Sequence, residues 1–381
     1  MSLLALSIAA LLTGSAAAQL QTTPTRAVTT PVEFSDDMDL ANLELALDRQ
    51  LENFNARPMT GRIRYGSKVY PRLILKDSAS EMRRIVRETR ACLSGSIDAL
   101  QCWSVFNATI NSRFDIYTPI PGNNEPGHGQ SDTTKFTAYY SLDFVGSRTP
   151  SARFNMPIYT LPPTDAQRRL SREAIDFDGQ LENKGLELFW VEGSRFDLYS
   201  LHIEGGGRVH LQHEDGSEEF RYISFAGKND LGGEFISRYM QRRGYITDTA
   251  MSEQERFLAQ NPNLHREIFS TYRAYIFFKE TDEEPHGVEN IPLTEGRSVA
   301  VDTGVYKHIG VITFVQAKKA VQQQDGSSLQ TPFSRFFVTQ DTGGAIKGNA
   351  RCDLYMGFGR EAAHAAQNMM TQGKQYFLIK K

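Results

Sequence analysis

The chain has 381 residues, of which 40% are hydrophobic, so it can bury a substantial core. At roughly 100–200 residues per domain, this length predicts two domains. The formal net charge of −3 argues against a nucleic-acid-binding protein, because such proteins usually carry a strongly basic balance or patch.

The first residues predict an export signal. An apolar run from Leu3 to Leu12 is followed by the small residues Ala16–Ala18, as in a signal peptide comprising residues 1–18. The run is too short to span a bilayer, and no later segment reaches 18 apolar residues, so we predict no transmembrane segment. Since the first cysteine is Cys92, no cysteine near the cleavage site is available for a lipid anchor. We therefore expect an exported, soluble protein.

Export permits disulfides. Cys92 and Cys102 are near neighbours in the sequence, and we predict that they pair. Cys352 is then left over, and a catalytic role for it would need a histidine partner that the sequence does not place.

The N-terminal part predicts a lead-in followed by helices. Residues 19–34 are rich in Thr and Pro and indicate a flexible segment. A helix is predicted to open at Ser35–Asp37, because apolar residues then recur at helical spacing up to Phe54. A second helix is predicted over Ala79–Leu93.

From Phe136 onward the sequence predicts many short strands separated by Gly, Pro, Asn and Asp, which favours β-barrels over a parallel sheet. The predicted strands are Phe136–Val145, Leu198–Ile203, Arg208–His213, Ala274–Phe278, Val299–Val301, Val311–Val315, Phe336–Val338 and Tyr376–Ile379. Helical interruptions are predicted at Leu231–Arg243, Ser252–Gln260 and Glu361–Thr371.

The sequence lacks the common cofactor and nucleophile motifs: HExxH, paired CxxC, GxSxG and a phosphate-binding loop. His202, His210 and His213 are close in sequence, but His210 and His213 face opposite sides of a regular strand. We predict neither a metal site nor a cofactor.

Three aspartates of the last third are each predicted to lie where a strand meets a turn: Asp302, Asp341 and Asp353. An isolated aspartate at such a place usually caps its own turn. Three of them close together, two of which bracket a glycine-rich stretch, favour a functional site.

The segment Asp341-Thr-Gly-Gly-Ala-Ile-Lys-Gly-Asn-Ala-Arg-Cys-Asp-Leu-Tyr-Met-Gly-Phe-Gly359 resembles the closing motif of the membrane-bound lytic murein transglycosylase A (MltA) family. Together with Val288–Asp302, it is similar to the three-aspartate (3D) domain. Earlier segments resemble further family blocks, in the family's order: Phe136–Tyr140, Met156–Tyr159, Ser171–Asp176, Ile203–Arg208 and Ser224–Asn229. The resemblance extends over Phe34–Lys381. It departs at Thr303–His308, where the family usually has a Pro-Leu-Gly type turn, and at Glu204 and Gly206, where Gln and Ser are common.

The resemblance implies a mainly β fold with several short helices. A double-psi β-barrel catalytic domain would comprise residues 35–148 and 280–381, and a second, smaller β-barrel domain, residues 149–279, would be inserted between them. The groove between the two would hold a peptidoglycan glycan strand.

The resemblance also implies a reaction in the periplasm: cleavage of the β-1,4 bond between N-acetylmuramic acid and N-acetylglucosamine, with closure of a 1,6-anhydro ring. Asp353 would be the single catalytic acid and base, kept neutral by an apolar niche of Leu354, Tyr355 and Phe358. Asp341 would orient the site or stabilise positive charge on the sugar. The candidate substrate-binding residues are Thr137, Tyr140, Glu204, Gly205, Gly343, Gly344, Lys347, Arg351 and Asp302, the last also interpretable as a barrel-turn residue.

Two alternatives stay open. One is a hydrolase that uses both Asp353 and Asp341, and the other is a non-catalytic glycan-binding barrel. The expected partners are glycan strands and complexes of cell-wall synthesis or division, with no nucleic acid.

Overall fold

The computed structural model describes residues 20–95, 98–122, 133–213, 216–323 and 328–381, so the predicted signal peptide lies outside it. The α-helices of these residues are α1 (Leu43–Asn55), α2 (Ile74–Leu93), α3 (Ala99–Arg113), α4 (Asp165–Arg168), α5 (Arg172–Asp176), α6 (Arg195–Glu204), α7 (Ile236–Arg242), α8 (Met251–Gln260), α9 (His265–Phe269) and α10 (Gly359–Gln367). Short 3-10 helices lie at Pro262–Leu264 and Val288–Asn290.

Most of the β-strands of the same residues lie from Phe114 onward. They are β1 (Gln21–Thr22), β2 (Thr25–Ala27), β3 (Arg62–Tyr65), β4 (Lys68–Pro71), β5 (Phe114–Pro119), β6 (Thr134–Ser147), β7 (Met156–Tyr159), β8 (Glu187–Val191), β9 (Gly206–Gln212), β10 (Glu218–Lys228), β11 (Ile276–Thr281), β12 (Ser298–Val301), β13 (Ile312–Gln322), β14 (Ser328–Asp341), β15 (Arg351–Phe358) and β16 (Met370–Lys380).

Six strands form a closed barrel in the order β6-β15-β12-β14-β13-β16, because β16 pairs with β13 on one side and with β6 on the other. Inward-facing apolar residues of this barrel share one core with α1 and α2, and Leu354, Phe336 and Leu378 are fully buried there. The predicted mainly β fold with a barrel and several short helices is confirmed.

A second sheet runs in the order β7-β8-β6-β9-β10-β11. A parallel bridge between Thr160 and Phe278 joins its two ends, which fits the smaller second barrel that was predicted. Its core is separate and contains Phe144, Phe189 and Val209.

The long strand β6 belongs to both barrels. Its first part pairs with β15 and β16, and its second part, from Leu142, pairs with β9 and β8. The predicted domain bounds stay a prediction, since the shared strand places no boundary between the two sheets.

The segment predicted as a flexible lead-in is paired from β1 onward. β1 pairs with β3, and β2 pairs with β5. The Asn107 side chain donates to the carbonyl of Phe34 and accepts from its amide, and Phe34 is buried. Thr and Pro content alone did not show these long-range contacts.

The first helix begins at Leu43 rather than at Ser35–Asp37. Asp36 is buried instead, where its carboxylate forms an ion pair with the buried guanidinium of Arg297. It also accepts from the amides of Met38 and Leu40, so the chain turns here before the helix starts.

Leu198–Ile203 lies in α6 and not in a strand, which corrects the prediction. Ser194 and Asp197 form a capping box that starts the helix, and Gly205, with φ of 78°, ends it. A short apolar run that is buried on most sides has no periodicity by which a helix can be told from a strand.

Cys92, in the last turn of α2, and Cys102, in α3, form a disulfide with a Cα–Cα distance of 5.8 Å. The predicted pairing is therefore confirmed. Burial raises the pKa of the Cys352 thiol, so this side chain is a poor nucleophile. Over the described ranges, none of the helices has both the length and the apolar character that crossing a membrane requires.

Candidate active site

A cleft of about 700 Å³ lies between the two barrels. One wall is formed by the outer face of β9, β10 and β11, including Gly206 and Tyr222. The other wall contains Asp353 and the segment from Asp341 to Ile346, which follows β14. Both aspartates that the sequence analysis selected as catalytic therefore open into one cleft.

Asp353 is the third residue of β15 and so lies within a strand, not where a strand meets a turn as the sequence predicted. It pairs with Ala300 of β12 on one side and with Thr137 of β6 on the other. The Thr137 hydroxyl donates a hydrogen bond of 2.5 Å to Asp353 Oδ1. Neighbouring strands thus fix the carboxyl, and Thr137 lies behind it rather than in the cleft wall.

Asp341 is the last residue of β14, and two donors hold its carboxyl. The Tyr139 hydroxyl donates to Asp341 Oδ2 at 2.6 Å, and the Thr342 amide donates to Oδ1 at 2.8 Å. Burial, followed by the nearby charge of Asp341, raises the pKa of Tyr139 well above its ordinary value, so this hydroxyl keeps its proton.

Tyr139 was not among the predicted site residues. Thr137 and Tyr139 are two residues apart on one strand, so their side chains leave the same face. Because Thr137 was already a predicted site residue, the two-residue period of a strand is the signal by which Tyr139 could have been identified. Tyr140, which was predicted, also lines the cleft and accepts a 3.3 Å hydrogen bond from Gln367.

Burial raises the pKa of Asp353 above its ordinary value, while the hydrogen bond from Thr137 and the charge of Arg351 oppose part of this rise. Burial also raises the pKa of Asp341, against the hydrogen bonds from Tyr139 and Thr342. Both carboxyls therefore hold a proton to higher pH than a solvated aspartic acid does.

Glu204 is a further carboxyl of the cleft. Its side chain is exposed at the cleft surface. Partial loss of its hydration there, and then the negative charge of Asp353, raise the pKa of Glu204 to about 6.

The other predicted binding residues divide into two groups. Gly205, Gly343 and Gly344 line the cleft. Lys347 and Arg351 lie outside the cleft wall, and the Lys347 side chain is 68% exposed. The positive charge of Arg351 acts on Asp353.

Asp302 is buried and does not line the cleft. Its two carboxylate oxygens accept from the amides of Gly304 and Gly348, at 2.8 and 2.9 Å. It thus holds the turn after β12 against the loop that follows Gly343 and Gly344. These contacts favour the interpretation of Asp302 as a barrel-turn residue.

The histidines of the second barrel take separate roles. His202 is buried in α6 and accepts from the Ile276 amide, whereas His210 and His213 face Glu218 and Glu219. In the part of the chain that the structure describes, no cluster of His, Cys, Asp and Glu is arranged to hold a metal ion.

Two family models match the chain. The MltA specific insert domain matches residues 135–279, and the 3D domain matches residues 297–379, so that together they cover more than half of the chain. The chain belongs to the MltA family. A search of curated proteins finds no match.

Solved structures of MltA-type enzymes have the same fold. MltA of Escherichia coli with bound chitohexaose is 23% identical, with a TM-score of 0.63, and the match covers 94% of each chain. The lytic transglycosylase LtgG of Burkholderia pseudomallei is 21% identical, with a TM-score of 0.59, covering 94% of this chain and 98% of that one.

A membrane-bound lytic murein transglycosylase from Agrobacterium tumefaciens is 24% identical, with a TM-score of 0.59, covering 93% of this chain and 97% of that one. The two family models thus confirm the MltA membership predicted from the sequence, and these structures show that the chain shares the fold of solved lytic transglycosylases.

Proposed function

We propose that the protein cleaves the β-1,4 bond between N-acetylmuramic acid and N-acetylglucosamine in peptidoglycan and leaves 1,6-anhydromuramic ends. The observation that carries the proposal is the half-buried Asp353, which faces the cleft with a raised pKa. A carboxyl of this kind can be neutral when the substrate binds, as a general acid must be.

In the first step Asp353 gives its proton to the glycosidic oxygen as the bond to the anomeric carbon breaks. Since Thr137 donates to Oδ1, the transferable proton is best placed on Oδ2. In the second step the resulting carboxylate takes the proton of the muramic C6 hydroxyl, whose oxygen attacks the anomeric carbon. Asp353 returns to its protonated form, and no water is consumed.

Asp341 fits an orienting and electrostatic role. Positive charge develops on the sugar ring in this reaction, and an ionised carboxylate nearby stabilises it. Tyr139 and Thr342 each occupy one carboxylate oxygen of Asp341. This arrangement favours a fixed carboxylate over a nucleophile or a base that must take up a proton.

The competing hydrolase would use Asp341 as a second working carboxylate. Digestion of purified sacculi in heavy-oxygen water separates the two reactions, because only hydrolysis places the label on the new reducing end. We expect unlabelled 1,6-anhydromuropeptides by mass spectrometry. Labelled reducing ends would favour the hydrolase, and sacculi that bind the protein without losing turbidity would favour the non-catalytic barrel.

We place the reaction in the periplasm. The predicted signal peptide and the Cys92–Cys102 disulfide support this, since structural disulfides persist in oxidising compartments. Complexes of cell-wall synthesis or division stay predicted partners. Recovery of the mature protein in the membrane fraction after a high-salt wash would contradict a soluble periplasmic enzyme.

A further inference from the structure

The outer face of the second barrel continues beyond the cleft as a row of stacked groups. On β10, Ser224 and Tyr222 line the cleft, and Phe220 is the next residue on the same face. Each step of two residues advances about 7 Å along a strand. Phe220 thus lies one step past the cleft wall, and 53% of its surface is exposed.

The Phe220 ring is held in place from one side. His210, its direct partner on β9, stacks on it with ring centroids 4.5 Å apart and an interplanar angle of 21°. The Arg208 guanidinium, also from β9, lies 4.7 Å from the Phe220 centroid. On the other side β11 ends at Thr281, opposite Tyr222, so this strand stops short of Phe220, whose side chain remains about half exposed.

The row also joins the two barrels. Arg208 lies 4.2 Å from the ring centroid of Phe358, which ends β15 of the first barrel, and the Phe358 and Tyr222 centroids are 6.1 Å apart. The residues His210, Phe220, Arg208 and Phe358 therefore form a preorganised surface, here called the aromatic platform, that is continuous with the cleft at Tyr222.

The charges of the platform are already paired. Asp143 accepts two hydrogen bonds from Arg208, at 3.0 and 2.7 Å, and Glu218 faces His210 at 2.9 Å. A charged stem peptide would find no unpaired cation on this platform. An open aromatic face attracts the weakly positive C–H face of a sugar ring instead, because the face of an aromatic ring is negative.

We propose that the aromatic platform is a distal sugar subsite, which holds a ring of the same glycan strand beyond the cleft by stacking on Phe220. This rests on the proposed function, since the occupant is a continuation of the chain bound in the cleft. Because only a long glycan strand reaches the platform from the cleft, the platform makes the affinity for a glycan depend on its chain length.

The test measures binding in full-length protein carrying Asp353→Asn, so that cleavage does not interfere. Calorimetry compares chitotriose with chitohexaose for this protein and for a second variant that also carries Phe220→Ala. We expect Phe220→Ala to weaken chitohexaose binding by roughly three- to tenfold, the range of one aromatic contact, and to weaken chitotriose binding less. Phe220→Trp should restore the chain-length dependence.

Phe225→Ala is the matched control. Phe225 is on the same strand and 49% exposed, but it follows Ser224 directly and so leaves the opposite face. It should leave both affinities unchanged. Equal losses for both oligosaccharides, or no loss, would overturn the subsite. Failure of chitohexaose to bind before Phe220 is changed would instead count against the proposed function.

Discussion

Asp353 is partly buried, and among the described residues Thr137 is the one that donates a hydrogen bond to its carboxyl. A carboxyl in these surroundings can both release and recover a proton. Asp341 has two donors, and Asp302 is tied to two backbone amides away from the cleft. The three aspartates of the last third therefore differ in their surroundings, and we expect them to differ in effect.

Asp353→Asn keeps the shape of the side chain and removes the transferable proton. We expect release of 1,6-anhydromuropeptides to fall by at least about a hundredfold, with glycan binding retained. Asp341→Asn should reduce the rate less, and Asp302→Asn should lower thermal stability more than turnover. If Asp353→Asn is active and Asp341→Asn is inactive, the roles proposed for the two aspartates must be exchanged. If both variants are active, the carboxylate mechanism is contradicted.

Glu204 introduces a titration that a glutamine at this position would lack. Its pKa of about 6 means that the cleft gains a negative charge as the pH rises through that value. We expect a step near pH 6 in the pH profile of kcat/KM for sacculi, and Glu204→Gln should remove that step while the decline due to Asp353 remains. Identical profiles for the two proteins would rule out any influence of Glu204.

At the scale of elements, β6 sets the properties of the acid. Its Thr137 donates to the carboxyl, and a hydrogen bond of this kind favours the ionised form and lowers the pKa. Thr137→Val keeps the branched shape and removes the donor, so the pKa of Asp353 should rise. An acid catalyst works below its pKa, and the falling limb of the pH–rate profile should therefore move to higher pH.

Thr313→Val, which removes a buried hydroxyl of β13 that accepts from Gln375, is the matched control. Its pH profile should keep the position of the original. A limb that stays in place in Thr137→Val, or that moves equally in both variants, would contradict the role given to Thr137.

The sequence predicted these elements unevenly. The strand that ends at Asp341 could be predicted in part, because the apolar run Phe336–Val338 precedes it. Strand β15, which holds Asp353, was not predicted, and Asp353 was selected through its specific family motif. The helix at Leu198–Ile203 could not be predicted. Its apolar run is also typical of a buried strand, and that run was given more weight than the capping box at Ser194. Tyr139 was missed because the partner that gives it a role, Asp341, is far away in the chain.

At the scale of the molecule, the buried ion pair of Asp36 and Arg297 attaches the N-terminal segment to the first barrel. Arg297 donates two hydrogen bonds to Asp36 and others to the carbonyls of Ala41 and Phe336. The sequence showed Asp36 only as a helix opener, because nothing local indicates a partner so distant.

Arg297→Leu would leave the Asp36 carboxylate buried without its counter-charge. We expect the free energy of unfolding to fall by about 3–5 kcal/mol, measured by denaturant titration. Arg84→Ala, which breaks exposed pairs with Glu81 and Glu88 on one helix, should change it by less than about 1 kcal/mol. Similar losses in the two variants would show that Asp36 is not held as described.

Because both barrels share strand β6, the acid site forms only after distant parts of the chain have folded together. The acid site needs β6 beside β15, and the barrel around it closes only through β16. The site is therefore assembled from segments before and after the second barrel, with Thr137 and Asp353 216 residues apart in the chain. Neither the part before the second barrel nor the part after it contains a closed sheet with Asp353 in place. A chain that is only partly folded therefore lacks the acid site, and we do not expect it to cut the cell wall, which is its proposed substrate.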